Sequence, residues 1–333
     1  MRIVVLFCGG TLVMEENEQG GWRVPPREHA VENLLSLEPR LSETADLEVA
    51  YVDNIDSANI TPEHWDRMAK EIEARYDSHE GFVVTHGTDT MAYTASALSF
   101  ALKGLGKPVV LTGAQIPGRF IETDARRNFV NAVRIAAMNL GGVFVVFDRS
   151  VILGARATKV SESKLSAFAS INREPVGEIR ADVRLRDDAP RRHSRPLMLE
   201  TGFEANITVA TLFPGTSVSM LLDILDNGTR GLVLRAYGTG NIAHRYLEVV
   251  EKARDIGVPV VVTSQCLEGA TRMERYEVGT KALDIGAIQA YDMSMESIIT
   301  KLMWILHRTG DPGEVRELMR TDLAGEVRPH GAR

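Results

Sequence analysis

The chain has 333 residues, a length that suits two domains of ordinary size. Hydrophobic residues make up 44% of the sequence and charged residues 25%, which predicts a packed core and excludes an intrinsically disordered protein. The net charge of −7 argues against a general nucleic-acid binder, because such proteins usually carry a basic face.

The first predicted element is a short apolar strand at residues 3–7. This run is too short for the hydrophobic segment of a secretory leader or for a membrane span. The chain has two cysteines, Cys8 and Cys266, and neither stands in a metal-binding spacing. So few cysteines indicate a reducing compartment, and these features together predict a cytoplasmic protein.

Further along the chain, short apolar or β-branched runs alternate with helical stretches. Most runs are apolar throughout, as parallel strands covered on both faces should be. The remaining predicted strands are 47–52, 81–85, 109–112, 143–147, 151–153, 231–235 and 258–263. The predicted helices are 62–76, 90–102, 124–138, 217–227 and 246–256, the first with Thr61 as N-cap and Pro62 at N1. This alternation predicts an α/β sheet fold with right-handed crossovers.

A segment rich in charge and proline interrupts the alternation near the middle of the chain. We interpret residues 189–205, which contain Pro190 and Pro196, as a linker. The sequence then predicts an N-terminal α/β domain at 1–188 and a smaller C-terminal α/β domain at 206–333.

Three dense polar stretches follow predicted strands: CGGT at 8–11, THGTD at 85–89 and YGTGN at 237–241. Ligands of open α/β sheets bind beyond the carboxyl ends of strands, and glycines let the backbone approach them closely. Taken singly, each stretch is more often a turn or a helix cap than a site. CGGTLV lacks the third glycine of G-x-G-x-x-G, and the polar residues 15–26 that follow it indicate a loop rather than a helix, so it does not predict dinucleotide binding.

The combination of these stretches favours a hydroxyl nucleophile. Such a nucleophile needs a proton acceptor, and Thr88 with Asp89 supplies part of one. Lys159 would complete a relay, because burial lowers the pKa of a lysine and a neighbouring carboxylate restores part of the fall. We expect His86 to be structural, and no grouping of histidines with carboxylates predicts a metal site.

The chain resembles the bacterial-type L-asparaginases, and the cytosolic type I branch most closely. The resemblance spans almost the whole chain, and HGTDTMAYTA is its most specific stretch. The motifs that carry it are, in chain order, Gly9-Gly10-Thr11, DSANITPEHW at 56–65, THGTDTMAYTASALSF at 85–100, KPVVLTGAQIP at 107–117, Thr123-Asp124-Ala125 with Asn128, Arg156-Ala157-Thr158-Lys159 and MSMESIITKLMWIL at 293–306.

The resemblance implies a two-domain asparaginase-like fold, with a large N-terminal parallel-sheet domain and a smaller C-terminal α/β domain. It implies no metal and no organic cofactor. It also implies a dimer or a dimer of dimers, with sites near the subunit interface. The expected partner is a small-molecule amide substrate, with no nucleic acid and no membrane.

The implied reaction converts L-asparagine to L-aspartate and ammonia through an acyl-enzyme. Thr11 matches the family nucleophile, while Thr88, Asp89 and Lys159 match the groups that move the proton and activate water. Two threonines on opposite sides of one carbonyl suit double displacement. The matches for substrate binding are Asp56, Ser57 and Asp89 around the α-amino and α-carboxylate groups, Ala114 with its carbonyl near the attacking water, and Asn241 reaching toward a neighbouring subunit's site.

The sequence departs from the family pattern at two places. Cys8 replaces the usual first threonine, which is not the nucleophile. Trp22 stands where the family's lid has a tyrosine whose hydroxyl contacts the nucleophile, and an indole N–H can only donate. Tyr291 of a neighbouring subunit could replace that hydroxyl. Cys266 matches a position that lines an allosteric asparagine pocket in some type I enzymes, although general grounds predict a small buried packing residue there.

Three alternatives remain open at this point. The substrate could be glutamine or another amide, because one methylene changes binding by only about 1–3 kcal/mol. An asparaginase-like chain could be the ammonia-producing subunit of a tRNA-dependent amidotransferase, but those chains carry a further N-terminal domain and this one starts its first strand at residue 3. A binding or sensor protein with weak turnover would follow if Trp22 has removed the lid function.

Overall fold

The computed structural model describes residues 1–16, 20, 22–23 and 25–328. The chain divides into two compact units, Met1–Thr201 and Gly202–Arg333. In the described ranges, no helix combines the length and the apolar character needed to cross a membrane.

The first unit holds fourteen strands and four α-helices in its described residues. Its helices are α1 (Arg27–Ser36), α2 (Pro62–Arg75), α3 (Met91–Ala101) and α4 (Ala125–Ala136). Its strands are β1 (Arg2–Phe7), β2 (Glu15–Glu16), β3 (Trp22–Arg23), β4 (Asp46–Tyr51), β5 (Gly81–Thr85), β6 (Leu102–Lys103), β7 (Pro108–Thr112), β8 (Gly142–Phe147), β9 (Ser150–Leu153), β10 (Ala157–Lys159), β11 (Phe168–Ser170), β12 (Gly177–Ile179), β13 (Val183–Leu185) and β14 (Met198–Leu199).

Eight of these strands form one sheet in the order β13-β12-β9-β8-β7-β5-β1-β4. The central strands β5 and β7 are buried along their whole length, as their apolar sequences predict. Helices α3 and α4 pack against the parallel part of the sheet. Helix α2 begins as predicted, with Thr61 as N-cap and Pro62 at N1, and the Thr61 N–H donates to His64 Nδ1 over 3.1 Å.

The sheet is mixed rather than parallel throughout. Strands β4, β1, β5, β7 and β8 run parallel, whereas β9, β12 and β13 pair antiparallel at one edge. The cause is local, because only Asp148 and Arg149 separate β8 from β9, and so short a connection permits only a hairpin. The positive φ of 51° at Asp148 makes that turn.

The second unit is a four-stranded parallel sheet in the order β15-β16-β17-β18. Apolar residues of its strands and helices form a separate core, with Leu232, Leu234 and Val262 fully buried. Its strands are β15 (Ile207–Thr211), β16 (Gly231–Ala236), β17 (Val260–Ser264) and β18 (Ile288–Gln289), and its helices are α5 (Val218–Asp226), α6 (Leu247–Asp255), α7 (Glu277–Ile285), α8 (Met295–Arg308) and α9 (Pro312–Arg320).

Sequence patterns miss several of these elements. They indicate a loop at residues 15–26, whereas β2 and β3 pair there in antiparallel register. They also fail to predict α1, α7, α9 and the strand β15. Strand β15 mixes threonine with aliphatic residues and is half-buried at the edge of its sheet, so it lacks the continuous apolar run of the central strands.

Candidate active site

The candidate site lies at the carboxyl edge of the large sheet, where four neighbouring parallel strands end in one row. Register pairs Phe7 of β1 with Tyr51 of β4 and with Thr85 of β5, and Thr85 with Thr112 of β7. The chain passes from β1 to β4 on one side and later returns to β5 on the other. This reversal of strand order is the position at which open α/β sheets bind ligands.

Glycines bring the loops after these strands into backbone contact. Gly10 has φ +98°, and a Cβ there would lie 2.6 Å from the carbonyl carbon of His86. At Gly87, a Cβ would lie 2.6 Å from Ser57 Oγ. Neither position has room for a side chain. The turn that leads into Thr11, the loop that leads into Thr88 and the segment with Ser57 therefore touch one another.

Lys159 reaches this crevice from β10 and contacts two of the candidate residues. Its Nζ donates to Thr88 Oγ1 over 2.8 Å and to Asp89 Oδ1 over 2.6 Å. Thr88 is 7% exposed, and the side chain of Lys159 is 18% exposed while that of Asp89 is 65% exposed. The amine is thus shielded from most solvent, whereas the carboxylate is open to a ligand.

Gln115 also belongs to this cluster. Sequence patterns assign it no role, although it lies within the family motif at 107–117. Its Nε2 donates to the Glu162 carbonyl over 2.8 Å, which turns Oε1 toward Thr88. Thr88 Oγ1 donates to that Oε1 over 3.2 Å. Thr88 therefore receives a hydrogen bond from Lys159 and gives one to Gln115, so its oxygen is held from two sides.

Asp124 and Asn128 hold the loop that carries Ala114 and Gln115. Asp124 Oδ1 accepts from the amides of Gln115 and Ile116 over 3.1 and 3.0 Å. Asn128 Nδ2 donates to the Gly113 carbonyl over 3.0 Å and to Asp124 Oδ2 over 2.9 Å. Their presence among the family motifs is the only sequence signal for this role. Ala114 itself is fully buried.

His86 supports the Thr88 loop from below. Its Nδ1 lies 2.7 Å from the Gly87 carbonyl, which can only accept, so Nδ1 carries the proton. Its Nε2 then accepts from Thr94 Oγ1 over 2.8 Å, and Trp65 Nε1 donates to the same hydroxyl over 3.0 Å. Burial lowers the pKa of His86 to about 4. The ring is therefore neutral near pH 7 and acts as a fixed spacer.

Thr11 begins a short 3-10 turn after Gly10 and is half-buried. Among the residues that the structure describes, none forms a hydrogen bond with its hydroxyl. Cys8, three residues earlier, is buried beneath the turn, and its amide donates to Thr85 Oγ1 over 3.3 Å. Burial raises the pKa of the Cys8 thiol, which makes it a poor nucleophile.

The predicted substrate-binding residues of the first unit differ in exposure. Ser57 is buried, and its carbonyl accepts from Thr90 Oγ1 over 2.8 Å. Asp56 is exposed and caps a short turn by accepting the Ala58 amide over 3.0 Å. The backbone of Trp22 pairs with Glu16 of β2. The indole of Trp22, on which the sequence argument depends, is outside the described part of the chain.

Asn241 and Tyr291 lie together within the second unit. The Thr271 amide donates to the Tyr291 carbonyl over 2.9 Å, and the Arg272 amide donates to the Thr239 carbonyl over 2.8 Å. Residues 271–272 thus join the loop of Asn241 to the turn of Tyr291. Tyr291 has φ +56°, a strained conformation for a residue other than glycine.

Cys266 belongs to the second unit. Cys266 is exposed, so the expectation of a small buried packing residue was wrong. The residue follows β17 in a turn, where its amide donates to Ser264 Oγ over 2.9 Å. Across the described ranges, no group of three or more histidine, cysteine, aspartate or glutamate side chains is placed to hold a metal ion.

Comparison with known proteins gives matches along nearly the whole chain. A family model described as "Asparaginase, N-terminal" matches residues 2–191, and one described as "Glutaminase/Asparaginase C-terminal domain" matches residues 206–319. L-asparaginase 1 of Escherichia coli K12 is 36% identical over 98% of both chains. The structure of the thermostable L-asparaginase from Thermococcus kodakarensis superposes with a TM-score of 0.91 at 36% identity, covering 99% of this chain and 100% of that one.

A relative with a different name matches as well. A glutamyl-tRNA(Gln) amidotransferase component from Pyrococcus furiosus is 35% identical over 98% of this chain, but the match covers only 77% of that component.

Proposed function

Because this chain belongs to the asparaginase family, we propose that it hydrolyses L-asparagine to L-aspartate and ammonia. The matches to L-asparaginases extend over at least 98% of both partners, whereas the match to the amidotransferase component covers only 77% of it. Ammonia delivery to a tRNA-dependent reaction is the alternative.

One observation carries the chemical part of the proposal. Lys159, Thr88 and Asp89 form a hydrogen-bonded cluster beside the backbone contact between Gly10 and His86, which brings the Thr11 turn to the same crevice. A hydroxyl nucleophile needs a neighbouring proton relay, and this crevice offers a hydroxyl, an amine and a carboxylate.

In the proposed reaction, Thr11 Oγ1 attacks the side-chain amide carbon of asparagine. The Thr11 hydroxyl proton passes to the amide nitrogen, the carbon–nitrogen bond breaks, ammonia leaves, and an ester to Thr11 forms. A water held at Thr88 then attacks the ester carbon, and the cluster of Thr88, Asp89 and Lys159 carries its proton back to Thr11. Asparagine and water become aspartate and, once ammonia has taken up the carboxyl proton, ammonium, so atoms and charge balance.

Substrate binding is proposed for the polar groups around this centre. Asp56, Ser57 and the open carboxylate of Asp89 would hold the α-amino and α-carboxylate groups, and the Ala114 carbonyl would face the attacking water. Gln115 would fix the Thr88 oxygen through the contact described above.

The assembly and its location are also proposals. We propose a homodimer or homotetramer in which Asn241 and Tyr291 serve the site of a neighbouring subunit, in a cytoplasmic protein without metal or organic cofactor. The division into domains 1–188 and 206–333, joined by residues 189–205, is proposed on the same grounds. If Tyr291 supplies the hydroxyl that Trp22 cannot, Tyr291→Phe lowers turnover, and unchanged turnover would reject that role.

The test is ammonia release on addition of L-asparagine. Thr11→Ala should lower the rate by at least about 10⁴-fold, because loss of a nucleophile removes the covalent route, and should leave the melting temperature unchanged. Thr280→Ala, which changes an exposed threonine of the second unit, is the matched control and should keep full activity. Hydrolysis retained in Thr11→Ala would disprove the nucleophile.

Parallel assays with L-glutamine and D-asparagine define the specificity. A folded wild-type chain that binds L-asparagine but releases no ammonia would instead identify a binding or sensor protein.

A further inference from the structure

A polar pocket in the first unit is lined by none of the residues assigned to hydrolysis. It has a volume of about 570 Å³ and is lined by α4, the β8–β9 turn and the β12–β13 hairpin. Arginines dominate its rim although the chain as a whole carries a net charge of −7. Arg127, Arg149 and Arg180 line it, one from each of these three elements.

The elements around the pocket are held together by hydrogen bonds. Arg127, Asn131 and Arg134 stand at i, i+4 and i+7 of α4 and therefore share one helix face. Asn131 Nδ2 donates to the Asp148 carbonyl over 3.2 Å, and the Ile179 amide donates to the Arg149 carbonyl over 2.7 Å. The helix, the turn and the hairpin are thus fixed to each other around the opening.

Positive charge at the pocket exceeds negative charge. Arg127 pairs with Asp148 over 2.9 Å, and Arg180 pairs with Glu178 over 2.8 Å. Arg149 is exposed and forms no ion pair with a carboxylate of the described residues, although its charge acts on the nearby Glu178. The lining itself therefore holds three guanidinium groups and one carboxylate, that of Glu178, while Asp182 also acts on Arg180 from the hairpin turn.

A fourth arginine stands beside the lining and adds to this excess. Arg134 donates to the Ala181 carbonyl and to Asn131 Oδ1, both over 3.4 Å. Within the same described ranges it has no acidic partner. The neighbourhood of the pocket is thus positive even though two of its arginines are paired.

We propose that Arg127, Arg149 and Arg180 form a binding site for a small di- or triphosphate. A planar guanidinium donates two parallel hydrogen bonds to phosphate oxygens, and several of them around one pocket suit a compact anion of multiple charge. The limited size of the pocket and the acidic remainder of the chain oppose an extended polyanion such as nucleic acid. Glu178 is the internal competitor, because its carboxylate occupies Arg180 when the site is empty.

The site has a physical connection to the crevice of Thr88. Arg127 holds the side chain of Asp148, and the Asp148 amide donates to Asn128 Oδ1 over 3.1 Å. The same Asn128 side chain donates to the Gly113 carbonyl over 3.0 Å. A bound anion that draws Arg127 from Asp148 would therefore act on a residue that holds the Ala114 loop.

Calorimetric titration of the intact chain with pyrophosphate tests the binding site without any turnover. We expect one site per chain with a dissociation constant below about 1 mM at low salt, and weaker binding of inorganic phosphate. Arg149→Ala should weaken pyrophosphate binding at least about tenfold, and Glu178→Gln should tighten it several-fold. Arg186→Ala removes the same charge from a residue that pairs with Asp188 outside the pocket, so its affinity should stay within about twofold of wild type.

Three results would overturn the proposal: no binding to the wild-type chain, equal losses in Arg149→Ala and Arg186→Ala, or weaker binding in Glu178→Gln. Equal losses would show an effect of net charge alone. The connection to the crevice is tested by kcat/KM for asparagine with and without pyrophosphate. A change that disappears in Arg149→Ala supports it, and an unchanged kcat/KM in a chain that binds pyrophosphate would disprove the connection while leaving the site.

Discussion

Two lysine–carboxylate ion pairs of this chain have nearly the same N···O distance but different roles. Lys159 and Asp89 lie 2.6 Å apart in the first unit, and Lys301 and Glu326 lie 2.5 Å apart in the second. The side chains of the second pair are completely buried, whereas those of the first pair are 18% and 65% exposed. Distance alone therefore does not separate a candidate catalytic pair from a structural one.

The remaining partners make the distinction. Lys301 Nζ also donates to the carbonyls of Met319 and Thr321, and the Glu326 carboxylate accepts from the amides of Leu323 and Ala324. Burial lowers the pKa of Lys301, while Glu326 opposes that fall. The second pair thus fixes the C-terminal segment to α8. The amine of Lys159 instead contacts a hydroxyl, and its carboxylate partner is open to solvent.

Among these ion-pair residues, replacement of Lys159 should have the largest effect on turnover. Lys159→Met should lower kcat/KM for asparagine by about 10³–10⁴-fold, because the proton relay at Thr88 loses its amine. The free energy of unfolding should change by less than about 1 kcal/mol, because Asp89 is left in solvent rather than buried. Ammonia release and urea denaturation measure the two quantities. A large loss of stability with little loss of rate would place Lys159 in the structural class.

The reciprocal change removes the second amine. Lys301→Met should cost about 3–5 kcal/mol of unfolding free energy, because it leaves the Glu326 carboxylate buried without a counter-charge. The double variant Lys301→Met with Glu326→Leu should recover part of this loss, since neither charge of the pair then remains buried, although the backbone groups at residues 319, 321, 323 and 324 lose their partners. Urea denaturation of both variants is the measurement, and kcat/KM of the folded protein should stay within a few-fold of wild type. Equal destabilisation of the single and double variants would contradict the account.

His86 differs from both ion pairs. It is a buried titratable side chain next to the site, and it is neutral near pH 7. Its folded pKa of about 4 lies below the ordinary histidine value, so the unfolded chain binds more protons between about pH 6.5 and 4. Stability from this group is complete above about pH 6.5 and falls as the pH drops through that window. We expect a loss of about 2 kcal/mol at pH 5 relative to pH 8.

Denaturation at both pH values measures this loss, and His86→Asn provides the comparison. The variant should be less stable at pH 8 and should show a smaller fall at pH 5. An equal fall in both proteins would assign the pH dependence to other groups.

Gln115 orients the Thr88 hydroxyl, and its replacement has the smallest expected effect. Gln115→Ala should lower kcat about tenfold with little change in KM, because Thr88 keeps the bond from Lys159 and loses its acceptor. Gln115→Glu, which keeps an acceptor of the same length, should recover part of kcat with an altered pH profile. A change confined to KM would instead assign Gln115 to substrate contact.

The framework of the site can be predicted from the sequence because its parts are local. Apolar runs indicate the strands near residues 3–7, 81–85 and 109–112, and the polar stretches at 8–11 and 85–89 mark the carboxyl edge. The antiparallel edge of the large sheet cannot be predicted in this way. Strands β12 and β13 have three residues each, which is too few to show an alternation of apolar and polar residues. Their pairing depends on a hairpin turn.

The α/β class, most of the buried strands and the family of the chain can therefore be predicted from the sequence alone. Other contacts arise only in the folded chain. Lys159 contacts Thr88, 71 positions away in the sequence, Gln115 accepts the Thr88 hydrogen bond, and three arginines line one pocket. Periodicity reports which residues are buried beside their chain neighbours, whereas a site is made of contacts between side chains that are adjacent only after the sheet has formed.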